Sequence, residues 1–282
     1  MVAKADLHIH SSYSDGALSP TDLIAIAVRV GLNAISITDH DTVDAYFDSD
    51  FQKKKGEIEI VSGIELSCSY HGNDVHLLGY GFDVDHMLLK AWCRYHANIR
   101  LKRGYFYFDQ WEKKFRFPVA YRNEFFENHF SPLLTRCHLA KFLLKKKLAF
   151  SIREAFSRFL HAKMFPLPVE LSFPDVQEGI ELIHLCGGFA VLAHPSVVSA
   201  SVSNSPSFLN LPFDGVELMH RNNHIKGKWE IWARTRNLYC TGGSDFHDPK
   251  RGDVVGSSWT DEATLKILSI GRRQDRIPLR LP

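Results

Sequence analysis

The sequence predicts an α/β fold: a mainly parallel sheet, closed as a barrel and interrupted by a helical insertion. Three observations predict it. Short apolar runs of strand length alternate with amphipathic segments of helix length in both halves of the chain, the pattern of parallel strands joined by crossover helices. Residues 84–165 break the alternation, with helical periodicity and no obvious strand-like run. Histidines and acids recur where strands would end, the face on which such barrels gather their chemistry.

Each element has a local reason. Residues 2–10 read as a first strand. Ser19-Pro20-Thr21-Asp22 starts a helix, with a serine cap, proline at the first helical position and an acid in the first turn. Leu23, Ile24, Ala27, Val28 and Val30 give it an apolar stripe, and Gly31 ends it. Residues 33–38 form the next strand, 43–55 a helix and 57–61 a strand. Residues 64–70 and 74–80 are strands flanking His71-Gly72-Asn73, a hairpin-like turn. Residues 99–117 and 133–147 are the clearest helices of the insertion. Alternation then resumes: a helix over 175–186 closed by Gly187-Gly188, strands over 189–193 and 214–219, a helix over 226–236, a strand over 238–241 and a last helix over 260–272. The expected division is a barrel built from residues 1–83 and 166–282, with a helical subdomain over 84–165.

Bulk properties narrow the function classes. The 282 residues are 45% hydrophobic and 23% charged, with a net charge of +2. That balance carries no electrostatic footprint for duplex DNA or a membrane surface. No apolar run approaches the roughly 20 residues of a membrane span, and the opening MVAKADLHIH has no apolar signal segment. The five cysteines include no C-x-x-C pair, so free thiols and a cytoplasmic location are expected. Nothing matches G-x-S-x-G or a P-loop, which disfavours acyl transfer and ATP hydrolysis.

The unusual feature is histidine, with 15 copies. His8-Ile9-His10 alone fits a polar surface strand. The other positions change that reading. Asp39 and His40 follow the second strand, Glu65 follows the 61–63 turn, and His76 lies in the hairpin. His194 ends another strand, and Asp245 and His247 end the last clear one. A buried, unpaired imidazole or carboxylate costs several kcal/mol at order of magnitude, so clustering them makes sense around a compensating cation.

Asp6-Leu7-His8-Ile9-His10, Thr38-Asp39-His40, Gly63-Ile64-Glu65, Ala193-His194-Pro195 and Gly243-Ser244-Asp245-Phe246-His247 resemble, in order and spacing, the motifs of the PHP (polymerase and histidinol phosphatase) family. The resemblance implies a distorted, TIM-like (β/α)7 barrel whose open end holds two or three divalent cations. It is strongest to the stand-alone phosphoesterases of the family, which act on nucleoside 3′,5′-bisphosphates, AMP-like nucleotides or the 5′ ends of short RNA. Those members carry a helical insertion, and Leu134-Thr135-Arg136-Cys137-His138 is similar to their Gly-Arg-Pro-His stretch. Here Thr135 and Cys137 replace the usual glycine and proline, and residues 161–165 replace a more glycine-rich segment. These departures bear on substrate choice rather than on the metal set.

By the same resemblance, His8, His10, Glu65 and Asp245 hold one cation. Glu65 bridges to a second completed by His76 and His194, and Asp15, His40 and His247 hold a third. A nitrogen and oxygen set without thiolate suits Mn²⁺, with Zn²⁺ or Fe²⁺ as alternatives, over Ca²⁺. Asp6 and Asp39 each neighbour a ligand histidine and are read as orienting it or fixing its loop, with a simple turn cap an equal reading for Asp39. The implied reaction is attack on phosphorus by a metal-activated hydroxide, without a protein nucleophile. Glu65, Asp245, His194 and Arg136 are its expected catalytic set.

Arg136 is the expected phosphate clamp, since a guanidinium grips phosphate oxygens in pairs. His138 is read as a substrate contact or a packing residue, and Lys163 as a weaker contact. Arg100, Arg103 and Lys145-Lys146-Lys147 read as a solvated helical face that could guide RNA. Tyr105 to Phe108 and Trp111 read as core. His71, His86, His96, His129, His161, His184, His220 and His224 are read as structural or exposed, with a minor substrate role open to His220 and His224. The expected substrate is a nucleotide or short single-stranded RNA, with no membrane or duplex DNA partner. The alternatives are a small-metabolite phosphatase, such as one for histidinol phosphate, and a non-catalytic, metal-stabilised interaction module.

Overall fold

The computed structural model describes residues 4–54, 56–129 and 131–271. The expected strand start at residues 2 and 3, helix end at Lys55 and helix end at Arg272 lie outside the described residues.

The chain opens with β1 (Ala5–Ile9), wholly buried, then α1 (Pro20–Arg29). Ser19 caps α1 by accepting the Asp22 N–H at 3.1 Å. Next come β2 (Ala34–Ile37), a 3₁₀ turn (Asp44–Phe47) and α2 (Ser49–Lys54). The single helix expected over 43–55 is therefore broken, because the Asp48 carboxylate caps α2 by accepting the N–H groups of Asp50 and Phe51. The strands β3 (Glu59–Ile60), β4 (Gly63–Tyr70) and β5 (Asn73–Tyr80) follow.

Four helices come next. The first, α3 (Met87–Phe115), runs 29 residues and begins well before the periodicity suggested. It is followed by α4 (Val119–Glu127), α5 (Arg136–Lys145) and α6 (Ile152–Phe159). The chain then forms α7 (Val176–Leu185), β6 (Phe189–Leu192), the short α8 (Ala200–Ser203) and α9 (Pro206–Leu209), β7 (Gly215–Met219), α10 (Lys226–Arg236), β8 (Tyr239–Gly242) and α11 (Glu262–Ile270).

The eight strands form two sheets rather than one continuous ladder, ordered β1-β2-β3 and β4-β5-β6-β7-β8. Pairing is parallel except at β4–β5 and β5–β6. The antiparallel steps come from the expected hairpin. The sheets meet at both margins. Asp245 donates its N–H to the His8 carbonyl at 2.8 Å beside β1, and Glu65 donates to the Asp39 carbonyl at 3.2 Å beside the end of β2.

Three hydrophobic clusters divide the interior of the described residues. The largest packs α1, α7 and α10 against the strands and includes Ile37, Ile64, Leu192 and Val216. A smaller one joins α11 to the strands through Leu7, Leu78, Tyr80, Val191, Leu265 and Leu268. A separate cluster lies within α3 to α6 and the segment after them, around Tyr107, Phe108, Trp111, Phe142 and Phe159. The aromatics expected in the core of this region, Phe106 to Phe108 and Trp111, belong to it, while Tyr105 is exposed and stacks on Phe126.

Arg100 and its partners bind α3 to the sheet. Arg100 is not part of a solvated face. It is buried, with Nε 2.7 Å from Asp41 Oδ2 and Nη2 2.7 Å from Ser67 Oγ. Asp41 is itself fully buried and accepts the Ser67 N–H at 2.6 Å. His96, also buried, donates from Nε2 to the Ser67 carbonyl. Arg100→Ala would leave Asp41 charged and without its cation. It is expected to cost about 3–5 kcal/mol, read as a lowered urea midpoint.

At the start of α5, the His138 ring accepts the Thr135 N–H on Nδ1 at 3.0 Å. Burial pushes its pKa down to about 4, below the ordinary 6.5. A histidine held neutral in the fold contributes stability above pH 6.5 that is lost as pH falls towards 4. The loss amounts to up to roughly 3 kcal/mol. Urea unfolding of wild type and His138→Gln at pH 7 and pH 5 should show a shallower pH dependence in the variant, whose amide oxygen can still cap the helix.

Candidate metal centre

The site is assembled from strand ends and one hairpin. His8 and His10 lie two residues apart at the end of β1, so both rings face one side. Their Nε2 atoms are 3.3 Å apart, and both approach Glu65 Oε2, at 3.5 and 3.2 Å. Both also approach Asp245 Oδ1, at 3.5 and 3.2 Å.

Glu65 is not at a strand end. It lies inside β4, opposite Leu78, while His76 faces Ser67 two positions along β5. Diagonal neighbours on one face of a hairpin are within reach of long side chains. His76 Nδ1 accordingly stands 2.8 Å from Glu65 Oε1. His194 Nε2 reaches the same oxygen at 2.9 Å, and His40 Nδ1 reaches Oε2 at 3.0 Å. Two of the expected positions therefore depart from the strand-end rule, because the hairpin runs past the ends of the parallel strands.

Asp15 sits on the loop after β1, with Oδ1 3.5 Å from His247 Nε2 and 3.8 Å from His10 Nδ1. The His247 and His10 rings stack at 4.0 Å. Asp39 shapes this loop. It accepts the Ser11 N–H at 2.7 Å and the hydroxyls of Ser11 and Ser14. A Cβ on Gly16 would stand 2.2 Å from the His10 carbonyl oxygen, so the tight return leaves room only for glycine. Asp6 does the same work opposite, accepting the N–H groups of Ser244 at 2.9 Å and Gly256 at 2.7 Å. Both aspartates hold backbone rather than a ligand ring, and burial raises the pKa of both, that of Asp6 to about 6.

All nine expected ligands thus converge. Ligand atoms of four groups lie within 4.8 Å of one another: His10, Asp15, His40 and His247; His8, His10 and Glu65; His40, Glu65 and His76; and His8, His220 and Asp245. The last adds His220, whose Nε2 is 3.3 Å from Asp245 Oδ2 and which the sequence presents as structural or exposed, with a minor substrate role open. Glu217 is a further addition, buried between His8 Nδ1 at 2.9 Å and the His194 N–H at 2.8 Å. Its signal was a lone acid inside the apolar strand Gly215-Val-Glu-Leu-Met219.

Burial works against charge on Glu65, Asp15 and Asp245. Facing imidazoles nevertheless hold all three well below the usual carboxylate range. His8 and His10 are pulled the other way against burial. Glu217, Glu65 and Asp245 raise His8 well above its ordinary value, and Asp245 and Glu65 raise His10 to about 10. Burial and the neighbouring His10 push His247 down to about 4. Buried atoms with no hydrogen-bond partner include His10 Nδ1, Asp15 Oδ1, His40 Nδ1, Glu65 Oε2 and His194 Nδ1. Orphaned donors and acceptors on interleaved imidazoles and carboxylates are what a cation site requires, so the residues fit divalent metal.

A cavity opens beside this cluster. Asp15, His40, His76 and His247 form its floor, Arg100, Arg103, Arg136 and Arg251 contribute cations, and Tyr107, Phe156 and Phe173 line it. Arg136 lies 3.5 Å from Asp74 and half-exposed. Arg103, read as solvated, instead stacks over Phe173 at 3.5 Å and donates to the Leu171 carbonyl. Lys163 is exposed and His138 serves as a helix cap, and neither lines the cavity. Lys146 pairs with Glu124 away from it.

The PHP domain matches residues 6–152. The 5′-3′ exoribonuclease of Haemophilus influenzae is 31% identical over 255 residues, covering 88% of this chain and 92% of that protein. The 3′,5′-nucleoside bisphosphate phosphatase of Chromobacterium violaceum is 27% identical, covering 89% and 90%. A solved structure from Bifidobacterium adolescentis shares the fold, with a TM-score of 0.79 at 23% identity over 94% of both chains. Over half of this sequence matches one domain family, and a relative above 30% identity aligns across nearly all of both chains: the chain belongs to the PHP domain family.

Proposed function

We propose that the chain is a metal-dependent phosphoesterase that hydrolyses phosphomonoesters of nucleotides, such as nucleoside 3′,5′-bisphosphates and AMP, or acts on the 5′ ends of short RNA. One observation carries this reading: nine buried or partly buried imidazoles and carboxylates converge, and four of them form the floor of a cavity lined by four arginines. The named activities of the two relatives support the nucleotide class. In this reading the two sheets form one distorted (β/α)7-type barrel, and residues 84–165 are an insertion forming the cavity wall.

His8, His10, Asp15, His40, Glu65, His76, His194, Asp245 and His247 would hold two or three divalent cations. Mn²⁺ is favoured, since the cluster contains no thiolate: burial keeps the nearby Cys137 thiol protonated by raising its pKa. Such cations supply an attacking water near neutral pH and neutralise a phosphate dianion. Around them, Arg136 grips phosphate oxygens, helped by Arg103. The partly exposed Phe156 offers a face for a base. Asp6 and Asp39 keep the ligand loops in place. The five free cysteines fit a reducing, cytoplasmic location. No described helix is long and apolar enough to cross a membrane.

Phosphate release with Mn²⁺ from adenosine 3′,5′-bisphosphate, AMP, a 5′-phosphorylated short RNA and histidinol phosphate tests the reading. Release is expected from the nucleotide substrates, reduced more than about 100-fold in a folded Glu65→Ala variant. No release from any substrate, or release from histidinol phosphate alone, would overturn it. Arg136→Ala removes a charge-assisted contact worth roughly 1.5–3 kcal/mol. KM for the bisphosphate should rise about ten- to a hundred-fold, with a smaller change in kcat.

A further inference from the structure

We propose that Glu217 is a positioning residue that sets two ligand arms of the centre at once, an inference that rests on the metal-centre reading above. Glu217 lies in the middle of β7, between the buried apolar residues Val216 and Leu218, with no solvent exposure. It belongs to none of the ligand groups found among the described residues. A buried carboxylate in that position survives only if both oxygens are used.

They are used on different arms. Oε1 stands 2.9 Å from His8 Nδ1. That contact orients the ring and turns its other nitrogen, Nε2, towards Glu65 and Asp245, each 3.5 Å away. Oε2 accepts the backbone N–H of His194 at 2.8 Å. His194 has φ 25° and ψ 63°, a left-handed conformation that L-residues adopt only when their surroundings impose it. That bend points His194 Nε2 at Glu65 Oε1. One side chain thus fixes a ring orientation on β1 and a strained backbone after β6, and both meet at Glu65.

The test is Mn²⁺ affinity, by calorimetry or competition with a fluorescent chelator, in wild type, Glu217→Gln and Glu217→Ala. Melting of each metal-free protein is followed alongside. Loss of such an oriented contact weakens metal binding by about 10- to 100-fold. Alanine should show the larger loss. Glutamine should be intermediate, because its oxygen can still serve His8 while its amide faces the His194 N–H. Glutamine also decides the matter if alanine does not fold. A folded variant that melts lower without metal yet binds Mn²⁺ as wild type does would make Glu217 merely structural and overturn the proposal. Wild-type protein that binds no Mn²⁺ would instead overturn the metal-centre reading itself.

Discussion

A single carboxylate governs the geometry of this protein. Glu65 is almost fully buried and has five imidazoles around it, contributed by β1, the end of β2, β5 and the turn after β6. Such a charge would be prohibitively costly in an apolar interior, so the strands that meet there must deliver compensating rings. This constrains register as well as chemistry. Slipping β4 by one residue against β5 would exchange Glu65 with Ile64 or Leu66 and turn it into the hydrophobic core. Core packing and site geometry therefore select the same hairpin alignment.

Five acids around the centre, Glu65 among them, divide into two kinds by what they touch. Glu65, Asp15 and Asp245 face rings and stay ionised. Asp6 and Asp39 face backbone N–H groups and hydroxyls, and their pKa values rise because no imidazole offsets their burial as strongly. Asp253 also holds backbone, accepting the N–H groups of His247 and Asp248, but its pairing with Arg221 lowers its pKa against burial. Loops that would otherwise be free to fluctuate are thus pinned from behind by carboxylates. The ligand atoms on their front face can then remain without protein partners, at the cost of stability that a bound cation would return.

Much of this was legible in the sequence because it depends on local patterns. Two-residue spacing puts His8 and His10 on one face, caps and glycines mark the helices, and the turn at His71-Gly72 announces the hairpin. What was not legible depends on distant partners. Arg100 looks solvated on a helix rich in bases, and only the buried Asp41, 59 residues away, explains why it is inside. Lys163 and His138 looked suited to a substrate, but one side chain lies out in solvent and the other is used by its own helix cap. His220 and Glu217 fit no spacing rule, since their neighbours arrive from β1, β6 and the loop after β8. The two separate sheets were hidden for a related reason: strand signals give no account of where a ladder is interrupted.

The hydrophobic clusters separate the candidate centre from the wall of the cavity. The candidate ligands sit on strands and loops anchored in the largest core. Arg136, Tyr107 and Phe156 sit on helices with an apolar cluster of their own. Thr135 and Cys137, where the family resemblance leads one to expect glycine and proline, line the cavity between the two regions, and Thr135 donates its hydroxyl to Asp15 at 3.0 Å, so a change there reaches the floor as well as the wall. The Asp41–Arg100 pair holds wall and floor in register. Asp41 follows the candidate ligand His40 by one residue, and Arg100 lies on α3 and lines the cavity. A buried ion pair joins the helical wall to the end of β2, so the arginines on the wall keep a fixed distance from the buried centre.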